Sequence, residues 1–131
     1  MAYSAILRDV VVLAGQQTVI CDQIITSEGG GYDNKTGIFT APVSGTYCFM
    51  ATSTPYCDSN EEVCRLVIVL DGERIAYLVA RGKALSTCHA AVQVKAGQRV
   101  WLRANDIYQA ENRYYGSWGT TFTGMLLQPE L

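Results

Sequence analysis

This chain lacks an excess of charge of either sign. Ten basic side chains stand against twelve acidic ones, a formal net charge of −2, so no nucleic-acid footprint is present. Long apolar runs are missing too. Val10 to Ala14 and Leu66 to Leu70 are five residues each and no run exceeds six, far short of a membrane span, and membrane insertion is not expected. No charged leader followed by an apolar stretch opens the chain, so no signal peptide is expected within it. His89 is the only histidine and no Cys-x-x-Cys pair occurs, which sets a zinc site aside. There is no G-x-S-x-G, no H-E-x-x-H and no phosphate-binding glycine loop, and no nucleophile motif lies near His89. An enzyme needs convergent acid, base, nucleophile or metal groups, so a non-enzymatic protein is expected. No segment carries a 3.6-residue periodicity, and repeats, linkers and low-complexity tracts are lacking.

What is present is a succession of short strand-like segments. At 131 residues, 49% hydrophobic and 17% charged, the chain fits one domain from end to end and can bury a proper core. Short strands separated by turn residues point to an all-β sandwich. Tyr3 to Leu7 is the first, followed by Val10 to Leu13, Thr18 to Cys21 and Gln23 to Ile25, and then by a loop from Ser27 to Gly31 with three consecutive glycines. Arg65 to Leu70 and Arg74 to Ala80 flank Asp71-Gly72, a strong two-residue hairpin signal. Alternation in Leu85 to Lys95 places Cys88, Ala90, Val92 and Val94 inward, with Thr87, His89, Gln93 and Lys95 outward. In Gln98 to Ala104, Val100 and Leu102 face in. Arg99, Trp101 and Arg103 share the opposite face, where they read as a cation–π ladder closing a sheet edge.

The rest of the chain is organised around Gly31 to Ala51. Asn34 and Gly37 tolerate left-handed backbone, Ile38 to Thr40 form a short strand, Pro42 and Gly45 break it, and Thr46 to Ala51 run on as a second. That second strand is apolar or aromatic on both faces, with Tyr47, Phe49 and Ala51 on one and Cys48 and Met50 on the other. The last strand, Thr120 to Leu127, shares this property. An antiparallel strand usually has one wet face, so one that is dry on both sides needs a second cover beyond the core. A lone sandwich of this size has none to offer. The pattern therefore predicts an oligomer, with Cys48, Met50, Met125 and Leu127 at the contact.

Several pieces of this pattern fall in a recognisable order. Tyr32-Asp33, Gly37-x-Phe39 and Pro42-x-x-Gly45-x-Tyr47-x-Phe49 are followed by Ala96-Gly97-x-x-Val100-Trp101-Leu102 and by Thr121-Phe122-Thr123-Gly124-Met125-Leu126-Leu127, and the chain opens on Ala2-Tyr3-Ser4-Ala5. Together these resemble the globular head domain of complement C1q over nearly the whole chain. Each piece is short, and their order at domain-wide spacing carries the specificity. The family usually has a larger aromatic where Met125 stands, a departure that bears on packing. The resemblance implies a ten-stranded jelly-roll β-sandwich, shared with tumour necrosis factor, whose inner sheet packs around a three-fold axis; the number three comes from the resemblance alone. Met1 directly before a family-like first strand fits a domain trimmed from a longer protein better than a true short form. A collagen-like stalk ahead of it is left open.

Cysteines 21, 48, 57, 64 and 88 make an odd number. Cys57 and Cys64 bracket the polar DSNEEV loop, and a bridge between them would add about 2.5 kcal/mol through chain entropy; five reduced core thiols are the alternative. Cys48 and Cys88 sit on apolar strand faces and read as buried, either free or paired across neighbouring strands. Family members often bridge the Cys64 position to the place held here by Ala41, which this chain cannot do. Asp58, Glu61 and Glu62 cluster in one loop and Asp71 and Glu73 in the next. Either set offers calcium hard oxygens, and calcium is known among family members, but a solvated loop is the plainer reading and no cofactor is required. Asn34-Lys35-Thr36 is a glycosylation sequon, short enough to arise by chance.

The candidate ligand site is Asn105 to Gly119, read as a loop. It gathers Tyr108, Tyr114, Tyr115 and Trp118 beside Glu111, Asn112 and Arg113. Rings stack on the C–H face of a sugar while polar groups bond its hydroxyls, and a guanidinium grips a carboxylate such as that of sialic acid. The competing reading packs these tyrosines against the sandwich or a neighbouring subunit. The expectation is a secreted homotrimeric lectin of innate immunity that binds microbial surface glycans by avidity. A secreted signalling ligand of the tumour-necrosis-factor or adipokine type, and the trimerisation head of a collagen-like protein, are the rivals.

Overall fold

Twelve strands follow one another among the described residues: β1 (Ala2–Ile6), β2 (Val11–Ala14), β3 (Gln23–Glu28), β4 (Tyr32–Asp33), β5 (Ile38–Thr40), β6 (Gly45–Ser53), β7 (Val63–Leu70), β8 (Glu73–Arg81), β9 (Ser86–Val94), β10 (Arg99–Ala104), β11 (Glu111–Tyr114) and β12 (Thr121–Pro129). Ten of them form two antiparallel five-stranded sheets, ordered β3-β1-β12-β6-β9 and β4-β5-β10-β7-β8, while β2 and β11 pair as a separate ribbon. The two sheets pack face to face as a jelly roll. The computed structural model describes residues 1–9, 11–14, 16–54, 63–81, 84–104, 111–114 and 119–131, with the backbone alone described for 11–14, 63–64 and 111–114. No helix among them is long and apolar enough to cross a membrane.

The core follows from period-two alternation. On β6, Tyr47, Phe49 and Ala51 are fully buried between the sheets, and Phe122 on β12 and Val100 and Leu102 on β10 join them. Six rings interlock there. Tyr3 stacks on Tyr32 at 4.7 Å and on Phe39 at 5.0 Å, meets Phe122 edge-on at 5.3 Å, and Phe39 continues to Tyr47 and Phe49. Each such ring contributes about 1.5–3 kcal/mol on burial, which makes this cluster the main support of the fold. Gly124 is required by it, since a Cβ there would collide with the Tyr3 ring. The β7–β8 hairpin turns on Asp71 (φ 49°) and Gly72 (φ 94°), the two positive angles that a tight hairpin turn demands.

Three expectations change. Gln23–Glu28 is a full edge strand, longer than the sequence pattern suggests, because β1 supplies its partner across a bulge. The segment expected as a strand from Thr18 runs beside β10 with a single bridge, Thr18 to Arg103. And β10, expected at a sheet edge, lies between β5 and β7. Arg99, Trp101 and Arg103 therefore stand in the middle of an outer sheet face and close no edge.

Candidate functional site

The expected loop from Asn105 to Gly119 is not wholly a loop. Glu111–Tyr114 form β11, paired antiparallel with β2 so that Glu111 faces Ala14, Asn112 faces Leu13, Arg113 faces Val12 and Tyr114 faces Val11. The sequence ENRY has no apolar alternation to announce a strand; its partner lies about a hundred residues earlier. Tyr108, Tyr115 and Trp118, and the side chains of Glu111, Asn112, Arg113 and Tyr114, lie outside the described residues. Beyond them the chain is anchored again. Gly119 and Thr120 are buried, and the Thr120 hydroxyl shares a 2.9 Å hydrogen bond with that of Ser53.

Of the four residues expected at an oligomer contact, Cys48, Met50 and Met125 fall on the outer face of the first sheet, and Leu127 lies at the break in the β12 register. Cys48 stands directly opposite Met125, and Met50 sits one row along, between Thr123 and His89. Met50 is 37% exposed and Leu127, next to the bulge in β12, is 56% exposed. The neighbouring rows hold Ser4, Thr52, Thr121 and Thr87, with hydroxyls paired as Ser4–Thr123 at 3.0 Å and Thr52–Thr121 at 2.7 Å. Across the paired rows of β1, β12, β6 and β9 this outer face carries no Asp, Glu, Lys or Arg. His89 is its single titratable imidazole.

The thiols divide by face. Cys88 pairs in register with buried Ala51 and Cys48 with Ala91, so the two point to opposite sides of one sheet and cannot bridge each other; both are free, as is Cys21. Cys48 is half-buried on the outer face, where burial had been expected. Burial pushes Cys21 up to about 12 and Cys88 up to about 11, so both are inert protonated thiols at neutral pH. The Cys57–Cys64 bridge lies outside the described residues, although the Cys64 backbone is placed opposite Ala80.

The acidic loops separate likewise. Asp58, Glu61 and Glu62 lie outside the described residues. Asp71 spends both carboxylate oxygens on the fold: Oδ1 accepts from the Arg99 backbone N–H at 2.9 Å and Oδ2 from the Gln98 amide at 3.1 Å. Among the described residues no group of three or more His, Cys, Asp or Glu is placed to hold a metal ion. The sequon residue Asn34 donates its side-chain amide to the Asp22 carbonyl at 3.1 Å. An open groove at one end of the sandwich, lined among others by Gly45, Lys95, Gln98 and Glu130, contains backbone, amides and isolated charges.

The comparisons with known proteins agree with this geometry. The C1q domain matches residues 2–127. Human complement C1q tumor necrosis factor-related protein 3 is 29% identical over 114 residues, covering 83% of this chain and 44% of its own length. The globular domain of zebrafish complement 1qA protein superposes with a TM-score of 0.64 at 19% identity, covering 98% of both chains. Eiger TNF from S. frugiperda superposes with a TM-score of 0.72 at 12% identity, covering 100% of this chain and 94% of its own. At those identities the structural likeness is one of fold. The chain spans about half the length, or less, of its curated relatives. With the match running through all ten sheet strands, this chain belongs to the C1q domain family.

Proposed function

We propose that this C1q domain is a secreted, non-enzymatic recognition module that works as a homotrimer and binds glycans of microbial surfaces. The observation that carries the reading is the outer face of the first sheet, uncharged across β1, β12, β6 and β9, with Glu28 of the edge strand β3 at its border. A surface of Met, Cys, Ala, Ser and Thr without a single ion pair to break is cheap to desolvate, whereas monomer surfaces ordinarily carry interspersed charge. Packed around a three-fold axis, the usual arrangement of the C1q and tumour-necrosis-factor fold, this face takes the second cover that a doubly apolar β6 calls for. Three copies then present three identical sites toward the same surface. Weak sites so linked gain avidity without any new contact. The glycan part rests on the ring and amide composition of residues 105–119, with Arg113 favouring acidic sugars.

Light scattering on the purified domain should return three times the chain mass at micromolar concentration, and a monomer mass would refute the assembly. A glycan array should show binding that Trp118→Ala weakens for all sugars and Arg113→Ala weakens for acidic ones alone. Binding to a single receptor ectodomain, with an empty array, would replace the lectin reading by the signalling-ligand one.

A further inference from the structure

The sequence carries a glycosylation sequon for which the recognition role above has no use. Asn34-Lys35-Thr36 is the only Asn-x-Ser/Thr of the chain, and its middle residue is not proline. We propose that Asn34 carries an N-linked oligosaccharide, projecting from the β4–β5 turn and clear of the uncharged face of the first sheet. The encounter with the sugar donor rests on the secreted reading above.

The turn presents the tripeptide. β4 ends at Asp33 and β5 begins at Ile38, so the sequon and Gly37 make up the whole connection. The Gly37 N–H donates to the Asp33 carbonyl at 2.8 Å, and the Lys35 N–H to Asp33 Oδ1 at 2.8 Å. Gly37, at φ 76°, is the buried side of the turn. A Cβ there would meet the Val19 carbonyl at 3.0 Å and the Ile20 Cα at 3.1 Å. With that side packed on residues 19–20, the other side faces out: Lys35 and Thr36 are exposed and Asn34 is half-buried. β4 and β5 stand at one edge of the second sheet. A bulky, solubilising sugar chain there leaves the rows of Met50 and Met125 uncovered.

The folded turn also suits the product chemically. Asn34 Nδ2 bears two hydrogens, and one of them goes to the Asp22 carbonyl at 3.1 Å. In the transfer, Nδ2 attacks the anomeric carbon of an oligosaccharide carried on a lipid pyrophosphate. An N–C bond replaces one N–H, the C–O bond to the pyrophosphate breaks, and the displaced proton goes to a base, with no change of oxidation state. One N–H remains on the substituted amide, enough to keep the Asp22 bond. The Thr36 hydroxyl, which the sequon requires, accepts from the Ile38 N–H at 3.3 Å. Its own proton is left to donate.

The test expresses the full chain in cultured animal cells behind a supplied secretory signal. Medium and lysate are both read by mass spectrometry, with and without peptide-N-glycosidase. The untreated chain should be heavier by one oligosaccharide, and the enzyme should remove that mass and leave a carboxylate at position 34. Asn34→Gln and Thr36→Ala should each abolish the shift, the second serving where the first loses the Asp22 bond and misfolds. Thr36→Ser, which restores the hydroxyl, should keep it. Light scattering should return the same assembly before and after the sugar is removed. A chain that has lost its supplied signal yet carries no sugar would overturn the inference. So would a shift that survives Thr36→Ala, or an assembly that forms only once the sugar is gone. Because the signal is supplied, the secreted reading fails separately, through absence of the native protein from extracellular fluid.

Discussion

The two stacked tyrosines of the core should respond to the same substitution with opposite signs. Tyr3 and Tyr32 lie ring on ring at 4.7 Å, with planes 8° apart, and both are buried, at 2% and 8% exposure. Their hydroxyls differ. That of Tyr32 donates to the Cys21 carbonyl at 2.7 Å, whereas that of Tyr3 is buried with no hydrogen-bond partner among the described residues. Tyr3→Phe keeps the ring and its contacts with Phe39 and Phe122 while deleting an unsatisfied polar group, whose burial costs about 1–3 kcal/mol. Against that gain stands a void the size of one oxygen, so a net stabilisation of about 1 kcal/mol is expected. Tyr32→Phe removes a made hydrogen bond and orphans a buried carbonyl, a loss of about 1–2 kcal/mol. Urea unfolding at fixed protomer concentration should therefore shift the midpoint up for Tyr3→Phe and down for Tyr32→Phe, with m unchanged. In a domain of this size 1 kcal/mol corresponds to about 3–5 °C in Tm. If both variants lose stability equally, the Tyr3 hydroxyl has a partner and the reasoning fails.

The same burial predicts alkaline weakness. Tyr3, Cys21 and Cys88 all have folded pKa values raised chiefly by desolvation, so the folded state holds protons that the unfolded state gives up. Their contribution is complete below pH 9 and falls as pH rises through 9–12, which thermal melts across that range should show as a declining Tm; a flat profile would contradict it. Gly124→Ala forces a methyl into the Tyr3 and Phe49 rings and should cost about 1–3 kcal/mol by overpacking, read as a lower urea midpoint. Met50→Asp puts a carboxylate on the uncharged sheet face and should dissociate the proposed trimer at micromolar concentration, at about 3 kcal/mol or more, while circular dichroism stays unchanged; a variant that keeps three times the chain mass would move the contact elsewhere. Native alkylation should leave Cys21 and Cys88 unmodified, as mass spectrometry of a digest can check.

Much of the architecture was legible from local rules. A strand's side chains alternate with period two, so Tyr47, Phe49 and Ala51 could be assigned to one face and Cys48 and Met50 to the other, and Val100 and Leu102 separated from Arg99, Trp101 and Arg103, without any knowledge of a neighbour. Asp71-Gly72 announced its turn because the two positive φ angles are a requirement of the residues themselves. The order of motif pieces along the chain indicated the C1q domain. Pairing is a different matter. Which strand lies beside which is decided by contacts between residues tens of positions apart, and no single strand records them. So Glu111–Tyr114 became a strand only through Val11–Ala14, Trp101 moved from an expected edge to the centre of a sheet, and Cys48 and Cys88 parted to opposite faces. Arg99 and Arg103 read as flanking Trp101 on one strand face, and nothing along the chain joins Arg65, Arg74 and Arg81 to them. Only the packing of β10, β7 and β8, at hydrogen-bonding distance and in fixed register, sets them on one face, opposite a sheet whose outer surface carries almost no charge.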